Sequence, residues 1–136
     1  MILVVDASVT IAWIATDERS AYAGAALEAC GSDPAIVPPL WYWEIANTLL
    51  VLERKGRLLD AASVFANVFE HIPITPDVVR DRRSRGIEEI ALARKHTLSV
   101  YDAVYLATAK DTGVPLATLH SNLAKAAIAE SVYFGL

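Results

Sequence analysis

The sequence predicts an α/β fold in which a mostly parallel sheet lies between helical layers. Three observations predict it. Ile2–Val5 is an uninterrupted apolar run of strand length, short β-rich runs alternate with longer helical ones, and glycine or proline punctuates the helix ends. A continuous apolar run suits a strand covered on both faces. Alternation of strand and helix requires parallel pairing through helical crossovers.

Met1–Ala15 is apolar enough to resemble a signal peptide, but it lacks a basic n-region and carries Asp6 in its middle. It therefore reads as the strand Ile2–Val5 and a helix over Ala7–Ala15. Ser20–Cys30 reads as a helix closed by Gly31, and Ala35–Val37 as a short strand. Pro38 and Pro39 lead into a helix over Leu40–Lys55 that stops at Gly56. Leu58–Glu70 is helical. His71–Thr75 is a strand weakened by Pro73, which places it at a sheet edge. Asp77–His96 is helical with a break expected at Gly86, and Ser99–Thr112 is a helix ending at Gly113. Val114–Thr118 is a strand, Asn122–Glu130 a helix, and Val132–Phe134 a last short strand. No repeat, low-complexity segment or linker interrupts this order, so residues 1–136 read as a single domain.

A chain of 136 residues can bury its own core without disulfides or a structural metal. No apolar run approaches the roughly 20 residues needed to span a bilayer, so no membrane role is expected. The apolar content of 54% is high for a soluble monomer, and such a surplus is expected to meet a second copy or a partner protein. The lone Cys30 reads as an inert, half-buried thiol, compatible with a reducing cytoplasm. A net charge of −4 argues against bulk attraction to nucleic acid. Six of the 12 basic residues nevertheless crowd one stretch: Arg80, Arg82, Arg83, Arg85, Arg94 and Lys95. Two readings stand: a solvated helix face, with Asp81 and Arg85 as an i,i+4 pair, or a phosphate-binding patch.

Three acids carry the chemical argument. Asp6 follows the first strand, and ligands of open parallel sheets bind beyond the carboxyl ends of the strands; it is equally placed to cap the next helix. Glu44 shares a helical face with Asn47 and Thr48 at i, i+3 and i+4. That polar stripe ends after one turn, because Val51 and Leu52 occupy the next positions, and a patch so short points to a site. The flanking Trp41 and Trp43 read as core or dimer interface. Asp102 stands three residues after Ser99, which is capping-box spacing, and a carboxylate there can still turn an oxygen toward a metal. Several carboxylates converging at one sheet end repel one another, and a hard divalent cation, Mg²⁺ or Mn²⁺, resolves that repulsion. Such an ion activates water and stabilises charge on phosphate oxygens, which is the chemistry of phosphodiester hydrolysis.

These residues stand in strings that resemble a known family. Val4-Val5-Asp6-Ala7-Ser8-Val9 resembles the opening of PIN domains, especially of VapC-type toxins. Trp43-Glu44-Ile45-Ala46-Asn47-Thr48-Leu49 resembles the second acidic motif, and Ser99-Val100-Tyr101-Asp102-Ala103-Val104-Tyr105-Leu106-Ala107 the third. Pro115-Leu116-Ala117-Thr118-Leu119 matches the strand leading to the fourth acid. The resemblance covers nearly the whole chain. It implies a three-layer α/β/α sandwich and a homodimer. The implied activity is that of a cytoplasmic, Mg²⁺- or Mn²⁺-dependent endoribonuclease, the toxin of a toxin–antitoxin pair, held in check by an antitoxin protein. Asp6, Glu44 and Asp102 then take the metal-ligand roles, Thr118 supplies a hydroxyl near the site, and Asn47 is a candidate support for a carboxylate or water. His120 stands where the family carries an aspartate. It leaves three roles open: a Mn²⁺ ligand, a general acid/base, or none. Asn122 could supply an oxygen instead if its loop bends back.

Two other classes compete. One is a PIN-fold binding module weakened as a nuclease by His120. The other is phosphoaspartate chemistry of receiver or haloacid-dehalogenase type. A receiver needs paired acids after its first strand, and Asp6 has no acidic neighbour. In Asp6-Ala7-Ser8-Val9-Thr10, Ser8 stands where a dehalogenase carries its second aspartate.

Overall fold

The architecture was obtained as a computed structural model, which describes residues 1–15 and 20–135. In chain order the elements are β1 (Leu3–Val5), α1 (Ala7–Ile14), α2 (Ala21–Cys30), β2 (Ala35–Val37), α3 (Leu40–Arg54), α4 (Ala61–His71), β3 (Ile74–Pro76), α5 (Arg82–His96), α6 (Val100–Thr112), β4 (Leu116–Ala117) and α7 (Ser121–Ala129). The strands form one sheet in the order β3-β2-β1-β4, and every pair is parallel. Leu3 pairs with Ala35, Val4 with Leu116, and Val37 with Pro76.

Strand order fixes the layers. The chain steps outward from β1 to β2 to β3, then returns to place β4 on the other side of β1. Right-handed crossovers made in opposite directions put their helices on opposite faces. The packing agrees: α1 lies against α2 and α3, and α3 against α4, while α6 lies against α5, α7, β1 and β4. The result is the expected α/β/α sandwich, with Pro73 leading into β3, an edge strand. Leu3, Val4 and Val5 are fully buried between the layers, each contributing about 2 kcal/mol. Among the described residues no helix is long and apolar enough to cross a membrane.

The element boundaries differ from expectation where side chains cap. Asp60 accepts the Ala62 and Ser63 N–H groups, so α4 begins at Ala61 and not at Leu58. Asp81 does the same for Arg83 and Ser84 and starts α5 at Arg82. Asp77 is thus outside the helix, with its N–H donated to the Val37 carbonyl. The break expected at Gly86 does not occur; α5 runs through it to His96. Val132–Phe134 forms no strand and makes a single parallel bridge, Tyr133 to Leu116. Gly113, at φ 68°, ends α6 as expected, in a conformation that favours glycine.

The basic stretch is exposed at Arg80, Arg82, Arg83, Arg94 and Lys95, as a solvated helix face would be, but not at Arg85. Arg85 is buried, and it pairs with Asp77 at 3.0 Å and Asp111 at 2.9 Å, while Asp81 serves as a cap. Lys95 pairs with Glu130 at 2.9 Å. Cys30 is buried, and burial raises its thiol pKa, as befits an inert group.

Candidate active site

The order in which strands are laid down reverses between β1 and β4, and such a switch point opens a crevice beyond the carboxyl ends of the strands. Asp6 follows β1 there and Thr118 follows β4. The Asp6 N–H donates to the Ala117 carbonyl at 3.2 Å, which locks the two strand ends together. Thr118 Oγ1 then donates to Asp6 Oδ2 at 2.5 Å. Ser8 Oγ and the Val9 N–H donate to Asp6 Oδ1 at 2.6 and 3.1 Å. Asp6 is accordingly the N-cap of α1, and the capping and site readings coexist in one side chain. It is 2% exposed. Burial pushes its pKa up, opposed by the hydrogen bonds from Ser8, Thr118 and Val9.

The two hydroxyls have a second task. Ser8 Oγ accepts the Leu119 N–H at 3.1 Å, and Thr118 Oγ1 accepts the His120 N–H at 3.0 Å. Each therefore links Asp6 to the loop that carries His120. Ser8 was singled out in sequence only for what it is not, a second aspartate. Its signal was a hydroxyl two residues after a capping aspartate, a spacing that allows local side-chain hydrogen bonds.

Glu44 sits in the second turn of α3, half-buried, and accepts the Tyr105 hydroxyl at 2.5 Å. Burial raises its pKa first, and the charges of Asp6 and Asp102 raise it further. Tyr105 is the second residue that sequence reasoning missed as a site group. Burial and the Glu44 carboxylate push its phenol far up, so it remains a donor. Asp102 lies in the first turn of α6, and its N–H donates to Ser99 Oγ at 3.1 Å. Its Oδ1 stands 3.8 Å from His120 Nδ1. Contact with Asp102 is the main cause raising the His120 pKa; partial burial opposes it, and the Asp6 and Glu44 charges add to it.

The structure thus gathers Asp6, Glu44, Asp102, Thr118 and His120 into one electrostatic neighbourhood. Asn47 is exposed, and among the described residues the donor to Glu44 is Tyr105. The loop does not fold back to offer Asn122, which lies exposed in the first turn of α7. Of the tryptophans, Trp41 is core, its Nε1–H donating to Thr10 Oγ1 at 3.0 Å, whereas Trp43 is 70% exposed. A cavity of about 360 Å³ opens on the cluster, lined among others by Ser8, Glu44, Thr48 and His120.

A divalent cation fits this donor set by its chemistry. The acids offer hard oxygens, two of them carry pKa values raised by burial, and His120 beside them is a group whose protonation would offset their charge. Among the described residues, no three His, Cys, Asp or Glu side chains are close enough to cage an ion directly. Mg²⁺ does not need such a cage, because it is commonly held by one or two carboxylates and keeps several waters.

Comparison with known proteins agrees with this fold. The family model of the PIN domain matches residues 3–129. The curated protein "Ribonuclease VapC3" of Pyrobaculum aerophilum is 33% identical over 132 residues, covering 92% of this chain and 94% of that protein. In fold the chain is similar to the crystal structure of PAE2754 from Pyrobaculum aerophilum. The TM-score is 0.65 at 22% identity, with 92% of this chain and 83% of that one covered.

Proposed function

The chain belongs to the PIN-domain family, and from that premise we propose that it is a metal-dependent endoribonuclease, the toxin of a toxin–antitoxin pair. The observation that carries the reading is the convergence of Asp6, Glu44 and Asp102 on one crevice, where the charges of Asp6 and Asp102 bear on Glu44 and those of all three acids on His120. Asp6, Glu44 and Asp102 hold Mg²⁺ or Mn²⁺, directly or through waters. When bound, the cation lowers the pKa of water and stabilises charge on the scissile phosphate. The chain's own residues do the rest. Thr118, Ser8 and the Val9 N–H fix the Asp6 carboxylate and leave one lone pair, on Oδ2, free. Tyr105 holds Glu44, and His120 lies beside Asp102 at the rim, where phosphate oxygens would pass.

RNA is the substrate, as the name "Ribonuclease VapC3" of the relative supports, and an antitoxin protein is the regulatory partner that the resemblance to VapC-type toxins implies. The homodimer that the resemblance implies would cover exposed apolar groups such as Trp43, which is 70% exposed. The cytoplasm, where RNA and a reduced Cys30 coexist, is the site of action. A second reading is favoured by one observation: His120 replaces the family's fourth acid, which would leave a PIN-fold binding module with weakened cleavage.

The test is a cleavage assay on RNA pools with Mg²⁺ or Mn²⁺, comparing wild type with Asp6→Asn. Metal-stimulated cleavage by wild type, lost in a folded Asp6→Asn variant, is the expected result. Absence of cleavage with either metal, at any RNA, favours the binding module.

A further inference from the structure

Tyr105 reaches Glu44 across 61 residues of sequence, its hydroxyl 2.5 Å from Oε1. The ring is 2% exposed and belongs to the core cluster, on a helix laid against β1 and β4, so it has no room to swing. Among the described residues no other group hydrogen-bonds Glu44, and Oε2 has no partner there. Tyr105 also follows Asp102 by three residues, which puts both on one face of α6, a turn apart. One rigid helix therefore carries the third acid and the donor that fixes the second.

A glutamate has three side-chain torsions, and holding it in one pose costs entropy that a fixed donor offsets. A buried phenol does need a partner. A backbone carbonyl would meet that need without placing a half-buried carboxylate beside Asp6 and Asp102, whose charges oppose its ionisation. The contact serves Glu44 more than it serves Tyr105.

We propose that Tyr105 is a positioning residue: it occupies Glu44 Oε1 and leaves Oε2 alone to face the catalytic cation or its waters. The proposal rests on reading Glu44 as a metal ligand. Removing a hydrogen-bond partner of a ligand typically costs about 10- to 100-fold in metal affinity or activity.

The test titrates Mn²⁺ into the full chain, followed by electron paramagnetic resonance, with thermal unfolding and RNA cleavage in parallel. Tyr105→Phe is expected to weaken Mn²⁺ binding about 10-fold. It should lower kcat to a similar extent, with KM for RNA and Tm close to wild type. Tyr105→Leu should show the same loss of Mn²⁺ affinity and a lower Tm in addition. In a Glu44→Ala background, Tyr105→Phe should cost nothing further. A Phe variant that binds Mn²⁺ like wild type while Glu44→Ala does not overturns the proposal, as does an equal loss in both backgrounds. Wild type that binds no Mn²⁺, indistinguishable from Glu44→Ala, overturns the metal-ligand reading first and this proposal with it.

Discussion

Thr118 and Asp6 are 112 residues apart in sequence, yet the hydroxyl of one lies 2.5 Å from Oδ2 of the other. The contact closes the switch point between β1 and β4. Thr118 is buried, and its oxygen also accepts the His120 N–H, so a methyl in its place would leave a donor and an acceptor unmet. Thr118→Val is expected to cost about 1–3 kcal/mol of stability and about 10- to 100-fold in cleavage rate. Thr118→Ser keeps the hydroxyl and should stay near wild type in both. Urea unfolding and single-turnover cleavage check the pair; equal rates for Val and Ser would show that the hydroxyl is dispensable.

Arg85 carries a different prediction, about the fold. It is 6% exposed and joins Asp77, which follows β3, to Asp111 near the end of α6. Thr108 Oγ1 donates to the same Asp77 Oδ2 at 3.1 Å. Arg85→Met would leave the Asp77 carboxylate buried without its cation, a change that costs about 3–5 kcal/mol. Arg80→Met, on an exposed side chain, should stay within about 0.5 kcal/mol of wild type. Denaturant midpoints at constant m-value decide between them.

Glu130 sets the acid limit of the helical layer formed by α5, α6 and α7. Its carboxylate takes His96 Nε2 and Lys95 Nζ on Oε1, both at 2.9 Å, and Lys110 Nζ on Oε2 at 3.2 Å. These partners, His96 and Lys95 foremost, hold its pKa down at about 2. A depressed carboxylate pKa stabilises the fold above the unfolded value, near 4.3, and that stability is lost as pH falls through about 2. After allowance for screening of the exposed Lys95, the contribution is about 1 kcal/mol. Wild type should therefore lose its margin over Glu130→Gln between about pH 4.5 and pH 2. Paired urea melts across that window measure it, and parallel curves would contradict the assignment.

The sequence was most legible where one residue's neighbours decide its fate. The apolar run before Asp6 specified a buried strand, Gly113 a helix end, and Pro73 an approach to an edge. The Glu44 patch was visible because polar residues stop after one turn. What it hid lay in tertiary partners. Asp81 and Arg85 have the spacing of a helical ion pair, but Asp81 is needed as a cap and Arg85 is drawn inward by Asp77 and Asp111. Asn47 shares a face with Glu44 by spacing, yet the donor that reaches Glu44 comes from another helix. Helical periodicity reports which residues lie side by side; it does not report what packs against them.

His120 tests how much of the site's behaviour one substitution controls. Its Nδ1 is 3.8 Å from Asp102 Oδ1, and the imidazole is 57% exposed at the crevice rim. The neighbouring acids raise its pKa and so favour its protonated form, at the position where the resemblance to PIN domains implies an aspartate. His120→Asp replaces the imidazole with a carboxylate beside Asp102. Without metal, carboxylate repulsion should lower Tm relative to wild type. With metal, a fourth hard oxygen should tighten Mg²⁺ binding about 10-fold and shift the preferred cation from Mn²⁺ toward Mg²⁺, since imidazole is a poor Mg²⁺ ligand. His120→Asn separates the two effects, because it removes the imidazole without adding an anion, and it should move Tm and Mg²⁺ affinity less than His120→Asp does. Calorimetric Mg²⁺ titration and cleavage rates in each metal read the outcome. If His120→Asp binds Mg²⁺ no better than His120→Asn, the rim position takes no part in holding the cation, and the imidazole acts on Asp102 or the substrate alone.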